Sequence, residues 1–429
     1  MGRVLKPLII LAVLLVVSLA VVACAPAAAP TPTPTKAPAA AAPTAAPKTE
    51  ATKPAPASPT APPKALAPYK IGVVVALSGY YTALGIPIRD GAVAAANEIN
   101  ASGGINGRKL ELVILDDGTD ETKGVLAVKK LISDDKVLGA HGPTGTGLSM
   151  AAIPVFQEGE TPHIAISAAD VIVQPVKKWT FKYVPGEAKI IPEVYAYMKS
   201  KAAKKLAILY PATALGKEAL TVYQASASKE GFELVAMETY DPNDKDFAPQ
   251  LVKVKASGAQ GLIVHDASIA TALIAKQMKG MGINLPWSAP HGILGPANLQ
   301  AAGDAFDGLT VPAPKVYVAE LLSDSDPQKK VAMQFKEAMK KSTGKDPDPL
   351  AMHGWDAVMV FAEAIRKTNP DPEKLAEARA KIRDGIESLK NFPAVVSPLN
   401  MSPTDHEGMP SGWSAFVEVR GGKFSIAKP

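Results

Sequence analysis

The fold of this chain is decided by residues 69–117, which begin with YKIGVVVA (69–76) and end with LELVILDD (110–117). Both runs are short, apolar and mostly rich in β-branched residues, which is typical of strands buried on both faces. A helical pattern lies between them at 87–100. Strand, helix and strand in this order predict a βαβ unit, and ligands of such folds bind at the carboxyl ends of the strands.

The same alternation continues in two series up to residue 289. The first series adds a helix at 122–133, a strand at 137–140, a helix at 148–157 and a strand at 163–167. The second has helices at 191–201, 216–230, 247–256 and 268–281, and strands at 205–210, 232–240, 261–265 and 287–289. This predicts an α/β fold with two parallel sheets. Three helices at 329–342, 351–367 and 372–389 follow, and then a hairpin of strands 413–419 and 423–426.

The N-terminus has the pattern of a secretion signal. Arg3 and Lys6 precede an apolar stretch at 8–23, which ends just before Cys24, the only cysteine in the chain. The junction resembles a bacterial lipobox, so we predict that residues 1–23 are a lipoprotein signal peptide and that Cys24 carries the lipid. A transmembrane anchor or an ordinary signal peptide is the alternative, although this stretch is short for a span of about 20 residues.

Residues 24–68 are predicted to be a disordered stalk. They are rich in Ala, Pro and Thr and contain 13 of the 39 prolines, so they offer too little apolar surface to offset the entropy of ordering. The net charge of +5 also arises outside the predicted globular part, because the signal contributes +2 and the stalk +3. A neutral globular region without clustered Lys and Arg argues against nucleic acid as a partner.

The globular region gives no indication of catalytic chemistry. It contains no cysteine, so neither a disulfide nor a thiolate metal site is expected. It also lacks a Gly-x-Ser-x-Gly elbow and a His-Glu-x-x-His motif. We therefore expect a protein without a cofactor, without a metal and without enzymatic activity.

Four motifs point to a known family: VALSG at 75–79, EINASGGINGR at 98–108, Gly-Pro at 142–143 and HGWDAV at 353–358. They resemble motifs of the type I periplasmic binding proteins, the extracellular ligand-binding receptors that serve branched-chain amino acid ABC transporters. The resemblance extends from about residue 69 to the C-terminus. It implies two Rossmann-like lobes with parallel sheets, joined by three crossovers, which close on a small ligand like a clamshell.

The resemblance also implies where each lobe lies in the sequence. Lobe 1 would be formed by residues 69–186 plus 318–410, and lobe 2 by residues 187–317 plus 411–429. Clusters of Pro and Gly at 185–186, 312–314 and 408–412 are typical of chain crossings between lobes.

On the lobe 1 side, the resemblance implies two ligand-binding loops. Thr144, Gly145 and Thr146 match the loop that holds the ligand carboxylate, although these glycines are equally compatible with a simple tight turn. Ser167, Ala168 and Ala169 match a Ser-Ala-Thr loop that contacts the α-amino group, so the threonine hydroxyl of relatives is missing at Ala169. Ser167 or Asp170 is a candidate to compensate for it.

On the lobe 2 side, this chain departs further from its relatives. A tyrosine that stacks on the ligand is replaced by Ala267, which is flanked by His265, Asp266 and Ser268. A glutamate that neutralises the ammonium is replaced by His291. An ammonium buried without a carboxylate is costly. Asp266 or Asp170 therefore supplies the counter-charge, or the ligand has no ammonium and is an organic acid, an aromatic carboxylate or an amide.

Two tyrosines and two histidines have less specific positions. Tyr80 and Tyr81 lie in the first loop, where an aromatic ring would either cap the ligand or pack in the core. His141 and His163 lie within apolar strands and are predicted to be core residues.

The sequence thus predicts a membrane-tethered, extracytoplasmic solute receptor. It would deliver an amino acid or a related small carboxylate or amide to an ABC permease complex, as a monomer anchored to a bacterial membrane at the cell surface or the periplasmic face. A ligand-sensing subunit of a membrane signalling partner is the alternative function, and a surface enzyme is the third.

Overall fold

The computed structural model describes residues 66–427, so Cys24, the predicted signal peptide and most of the predicted stalk lie outside the described residues. The strands are β1 (Tyr69–Val75), β2 (Leu110–Asp116), β3 (Gly139–Thr144), β4 (His163–Ile166), β5 (Thr180–Lys182), β6 (Lys205–Pro211), β7 (Glu233–Tyr240), β8 (Gly261–Val264), β9 (Trp287–Ser288), β10 (Thr310–Pro314), β11 (Phe392–Pro393), β12 (Pro398–Leu399), β13 (Ser414–Arg420) and β14 (Lys423–Ile426).

The α-helices are α1 (Thr82–Ala101), α2 (Glu121–Ser133), α3 (Thr146–Glu158), α4 (Glu187–Ser200), α5 (Ala214–Ser226), α6 (Ala248–Ala256), α7 (Ala270–Gly280), α8 (Pro296–Ala302), α9 (Pro327–Thr343), α10 (Met352–Thr368) and α11 (Leu375–Glu387). None of these helices combines the length and the apolar character that crossing a bilayer requires.

Two parallel sheets organise the chain, as predicted. The first sheet has the order β2-β1-β3-β4-β5, and the second sheet has the order β7-β6-β8-β9. After the second sheet the chain returns to the first, where α9 and α10 pack against α1. It then crosses back, and β13 and β14 extend β10 into a third, antiparallel sheet. The predicted α/β class with two Rossmann-like halves is confirmed.

Glycines allow α10 to pack in close contact with α1. A Cβ on Gly354 would lie 1.8 Å from the carbonyl oxygen of Ile88, and a Cβ on Gly91 would lie 1.9 Å from that of Ala351. Neither position has room for a side chain, so the two helices are in backbone contact at these points. The first turn of α10 carries His353, which lies in the gap between the two sheets.

Several predicted boundaries were wrong. α1 and α4 begin at Thr82 and Glu187, four or five residues before the predicted starts at 87 and 191. Each contains a proline as its sixth residue, and the apolar pattern does not reveal the short turn ahead of it. The strands β5 and β10 and the helix α8 were missed because they are too short to show a periodicity. Residues 312–314 are part of β10, an edge strand on which prolines are tolerated, and their assignment as a crossing between lobes stays a prediction.

Candidate functional site

A cavity lies where the strands of both parallel sheets end. It contains about 570 Å³ of empty space, part of it open to solvent. Its walls come from loops after β1, β3, β4, β8 and β9 and from the start of α10. The lining residues are Tyr81, Leu84, Gly145, Thr146, Ile166, Ser167, Ala168, Val184, Ile190, Leu215, His265, Ala267, Pro290, His291, Gly292 and His353.

We call Gly145, Thr146, Ser167 and Ala168 the hydroxyl wall. Gly145 has a φ of +97° and precedes α3, and a Cβ there would lie 2.8 Å from the Tyr81 ring. Only glycine combines this backbone conformation with such a close aromatic neighbour. No side chain caps α3, so its first backbone N–H groups remain available to an anion.

The hydroxyl wall leaves one O–H group without a partner. The Oγ atoms of Thr146 and Ser167 are 2.9 Å apart, and Ser167 Oγ also accepts a hydrogen bond from the Ala169 N–H at 3.1 Å. Two hydroxyl groups that share one hydrogen bond use only one of their two protons. The second O–H is therefore a donor at the cavity surface, whichever of the two residues carries it.

The carbonyl of Ala168 is already occupied. It accepts hydrogen bonds from the ammonium of Lys182, which is fully buried, and from the N–H of Glu187, both at 3.1 Å. A carbonyl oxygen has two lone pairs, so these two donors satisfy it. Ala169 is buried in a small apolar cluster with Ile153 and Ile172 and is not a lining residue.

We call His265, Ala267, His291 and His353 the histidine wall. His265 contacts Glu187 Oε1 at 3.1 Å through Nε2, and the Tyr223 hydroxyl at 3.2 Å through Nδ1. A neutral imidazole satisfies both contacts, since Nε2–H donates to the carboxylate and Nδ1 accepts from the hydroxyl. One oxygen of Glu187 is thereby bound, and Glu187 itself is not a lining residue.

His291 and His353 form a pair across the gap between the sheets. Their Nε2 atoms are 3.3 Å apart, and both Nδ1 atoms are buried without a hydrogen-bond partner. Burial lowers the pKa of His291 to about 4 and holds that of His353 well below its usual range. Both rings are thus neutral near pH 7, and one Nε2–H must donate to the other Nε2. Consequently one Nδ1 is a free acceptor and the other is a free N–H donor.

Asp266 and Asp170, the two candidate counter-charges, both bond to protein groups. Asp266 accepts hydrogen bonds from the hydroxyls of Tyr240 at 2.9 Å and Ser268 at 2.6 Å, and from the Ser268 N–H at 3.0 Å. Burial raises its pKa despite these bonds. Asp170 accepts from the Ala188 N–H at 2.8 Å, and its other oxygen is 3.7 Å from the Lys182 ammonium. Neither residue lines the cavity.

The structure brings together six of the ten residues that the sequence singled out for ligand binding. Gly145, Thr146, Ser167, Ala168, Ala267 and His291 line one cavity. Ala169 and Asp266 lie behind its walls, as does Thr144, whose N–H and hydroxyl oxygen bond to Asp117 and the Ala76 N–H. Tyr80 lines a neighbouring groove, while Tyr81 lines the cavity itself. Their roles in binding stay a prediction.

Sequence reasoning missed His353 as a site residue. It lies in the HGWDAV motif, and its distance of 62 positions from His291 gives no sign that the two rings meet. The core assignment of His141 and His163 is confirmed, since both are fully buried in their strands. Within residues 66–427, no group of three or more His, Cys, Asp or Glu side chains is placed to hold a metal ion.

Comparison with known proteins gives a consistent result. Residues 68–423 match the periplasmic binding protein family. A leucine-, isoleucine-, valine-, threonine- and alanine-binding protein of Pseudomonas aeruginosa is 27% identical over 319 residues, which are 72% of this chain and 81% of that protein. The Leu/Ile/Val-binding protein homolog 3 of Brucella melitensis is 24% identical over 81% of this chain and 90% of its own length.

Solved structures of two such proteins have a similar fold. An extracellular ligand-binding receptor from Rhodopseudomonas palustris HaA2 is 28% identical, with a TM-score of 0.79 over 84% of this chain and 100% of that chain. The branched-chain amino acid transporter substrate-binding protein LivJ of Streptococcus pneumoniae, in complex with isoleucine, has a TM-score of 0.72 over 85% of this chain. At 22% identity, the second likeness shows the fold alone.

Proposed function

The chain belongs to the periplasmic binding protein family, a family of solute-binding receptors, and on this premise we propose that it is a membrane-tethered, extracytoplasmic receptor for an ABC importer. Its solute would be an amino acid or a related small carboxylate or amide. The observation that carries the proposal is the cavity between the carboxyl ends of the two parallel sheets, because loops from both halves line it. A ligand bound there would contact both halves at once.

The proposed action is closure without chemistry. A solute that contacts both walls stabilises the closed arrangement of the two halves by its differential affinity for that arrangement. The permease would then recognise the closed form. Among the described residues, neither Thr146 nor Ser167 is hydrogen-bonded to a histidine, so neither hydroxyl has the adjacent base that a nucleophile needs. This supports a receptor rather than an enzyme.

The proposed tether is the lipid on Cys24, followed by the stalk at 24–68. An extended Pro-rich chain spans about 3.1 Å per residue, so the stalk would hold the receptor on the order of 100 Å from the bilayer. Monomeric action fits a receptor that must dock and release. Labelling of cells with a radioactive fatty acid tests the tether: the label should enter the wild-type protein and be absent from Cys24→Ala.

Ligand capture is tested by a thermal-shift screen of the full chain in detergent. The screen would contain amino acids, aliphatic and aromatic carboxylates and small amides. A ligand at a thousandfold excess over its Kd should add about 4 kcal/mol of stability. Small-angle scattering of the same samples should show a more compact particle with a stabilising ligand. A complete absence of stabilisation and compaction across the panel would contradict the proposed function.

A further inference from the structure

We propose that the ligand of this cavity is a small apolar monocarboxylate without an ammonium group, whose remaining polar group, a hydroxyl or a carbonyl, hydrogen-bonds to the His291–His353 pair. This inference rests on the proposed function and names the substrate class of the same site. It follows from what each wall of the cavity can donate, accept and neutralise.

Among residues 66–427, no Asp or Glu side chain lines the cavity. Three carboxylates lie behind its walls, and each has at least one oxygen bonded to a protein group: Asp266 to Tyr240 and Ser268, Asp170 to a backbone N–H, and Glu187 to His265. Oδ1 of Asp170 and Oε2 of Glu187 are buried without a hydrogen-bond partner among these residues, but neither residue belongs to the lining. A buried cation without a counter-charge in contact costs several kcal/mol, so this lining does not favour an ammonium.

The hydroxyl wall also provides no negative charge for an ammonium. The Ala168 carbonyl is satisfied by Lys182 and Glu187. The Thr146–Ser167 couple offers a spare O–H donor, whereas an ammonium would have to donate to the uncharged lone pairs of the two hydroxyls. The hydroxyl wall therefore suits an acceptor on the ligand better than a cation.

The same hydroxyl wall suits a carboxylate. The spare O–H and the uncapped N–H groups at the start of α3 are donors, and the dipole of this 13-residue helix favours a negative charge there. Apolar side chains cover much of the remaining surface, and Leu84, Ile166, Val184, Ile190 and Leu215 are among them. The ligand body is therefore apolar.

The His291–His353 pair supplies the second recognition element. Both rings are at least 96% buried, border the cavity, and between them hold one unpartnered acceptor and one unpartnered N–H donor. Buried polar groups without partners are costly, so a ligand that satisfies them gains affinity. A hydroxyl can satisfy either one of them, and a carbonyl can satisfy the donor.

A matched ligand series tests the proposal on the unaltered full chain. The compounds are leucine, its α-oxo acid, its α-hydroxy acid and the acid without an α-substituent, with the corresponding phenylalanine series beside them. Isothermal titration at pH 7.5 should show that the best oxo or hydroxy acid binds at least about 100-fold more tightly than its amino acid. Equal or tighter binding of the amino acid overturns the inference, and so does no binding of any of the acids.

Substitution of His291 gives a second, independent test. His291→Glu introduces a carboxylate into the histidine wall and should shift the affinity ratio toward the amino acid by about tenfold or more. His291→Gln brings no charge and should weaken the acids without a gain for the amino acid. An unchanged ratio in His291→Glu, in a protein whose melting shows it to be folded, contradicts the role assigned to this wall.

The outcomes separate this inference from the proposed function. Tight binding of leucine with closure of the two halves would remove the ligand class and leave the receptor function intact. Failure of every compound in the broad screen described above would remove both. Binding of the oxo or hydroxy acids with closure would support both.

Discussion

The two walls of the cavity are built in different ways. The hydroxyl wall presents backbone N–H groups and small side chains whose positions are fixed by the chain path, notably by Gly145 at its positive φ. The histidine wall presents large side chains whose polar atoms are set by one another, as in the His291–His353 pair. Every residue except proline supplies a backbone N–H, so the backbone donors of this wall tolerate changes in sequence at positions other than Gly145. We therefore expect the histidine wall to determine ligand preference.

The largest expected effect comes from removing the support behind the hydroxyl wall. Lys182→Met leaves the Ala168 carbonyl with one donor and removes a buried cation 3.7 Å from Asp170 and 4.0 Å from Glu407. Breaking a buried ion pair from one side costs about 3–5 kcal/mol, and urea unfolding should show a loss of this size. Lys189→Met is the matched control, since Lys189 pairs with the same glutamate but is 30% exposed.

For Lys189→Met, a loss of about 1 kcal/mol or less is expected. Comparable losses in the two variants would mean that the hydroxyl wall does not depend on a buried cation behind it.

The free energy of unfolding should depend on pH through His291 in the histidine wall. The pKa of His291 falls from its usual 6.5 to about 4 on folding, so the unfolded chain binds more protons between these values. Stability from this group is complete above pH 6.5 and is lost as the pH falls toward 4, by on the order of 3 kcal/mol in all. Urea unfolding at steps from pH 7.5 to 4 should show this loss of stability as a difference between wild type and His291→Gln.

The difference between the two proteins is needed because other groups titrate in the same window. Burial raises the pKa of Asp348 and Asp356 to about 7, so their contribution to stability is lost as the pH rises. Both proteins share this opposing contribution. Parallel pH profiles would show that His291 is not held neutral by burial.

A third prediction concerns the glycine of the hydroxyl wall. Gly145→Ala places a Cβ 2.8 Å from the Tyr81 ring at a φ of +97°, and should cost about 2 kcal/mol of stability as well as ligand affinity. Gly280→Ala is the control, because a Cβ there meets nothing within 4 Å. Thermal unfolding of both variants measures the contrast, and an equal response would show that the hydroxyl wall tolerates a side chain.

The difference between the walls also explains what sequence could predict. The loop at 144–146 follows a strand and contains a glycine before a helix, which are local signals, and Gly145 and Thr146 do line the cavity. The Ala168 carbonyl is satisfied by Lys182, and the hydrogen bonding of His291 depends on His353. Both contacts join elements that are distant in the sequence. From its place in the sequence Asp266 is a plausible counter-charge, and only the fold shows its bonds to Tyr240 and Ser268. Local patterns predict backbone sites, whereas side-chain networks need the fold.

The smallest expected effect separates the binding role of the hydroxyls from their structural role. Thr146→Val and Ser167→Ala should each weaken carboxylate binding about tenfold, because either change disturbs the couple that holds the spare O–H. Their combined effect should be less than the sum, with a coupling of about 1 kcal/mol in a double-mutant cycle.

Ser149→Ala is the matched control on α3, the helix that carries Thr146. The buried Ser149 hydroxyl donates to the Pro143 carbonyl at 3.0 Å and lies outside the cavity lining. It should lower stability and leave affinity unchanged. If Ser149→Ala weakens binding as much as the other two, the hydroxyl wall acts only through the stability of α3, and ligand recognition would rest on the histidine wall alone.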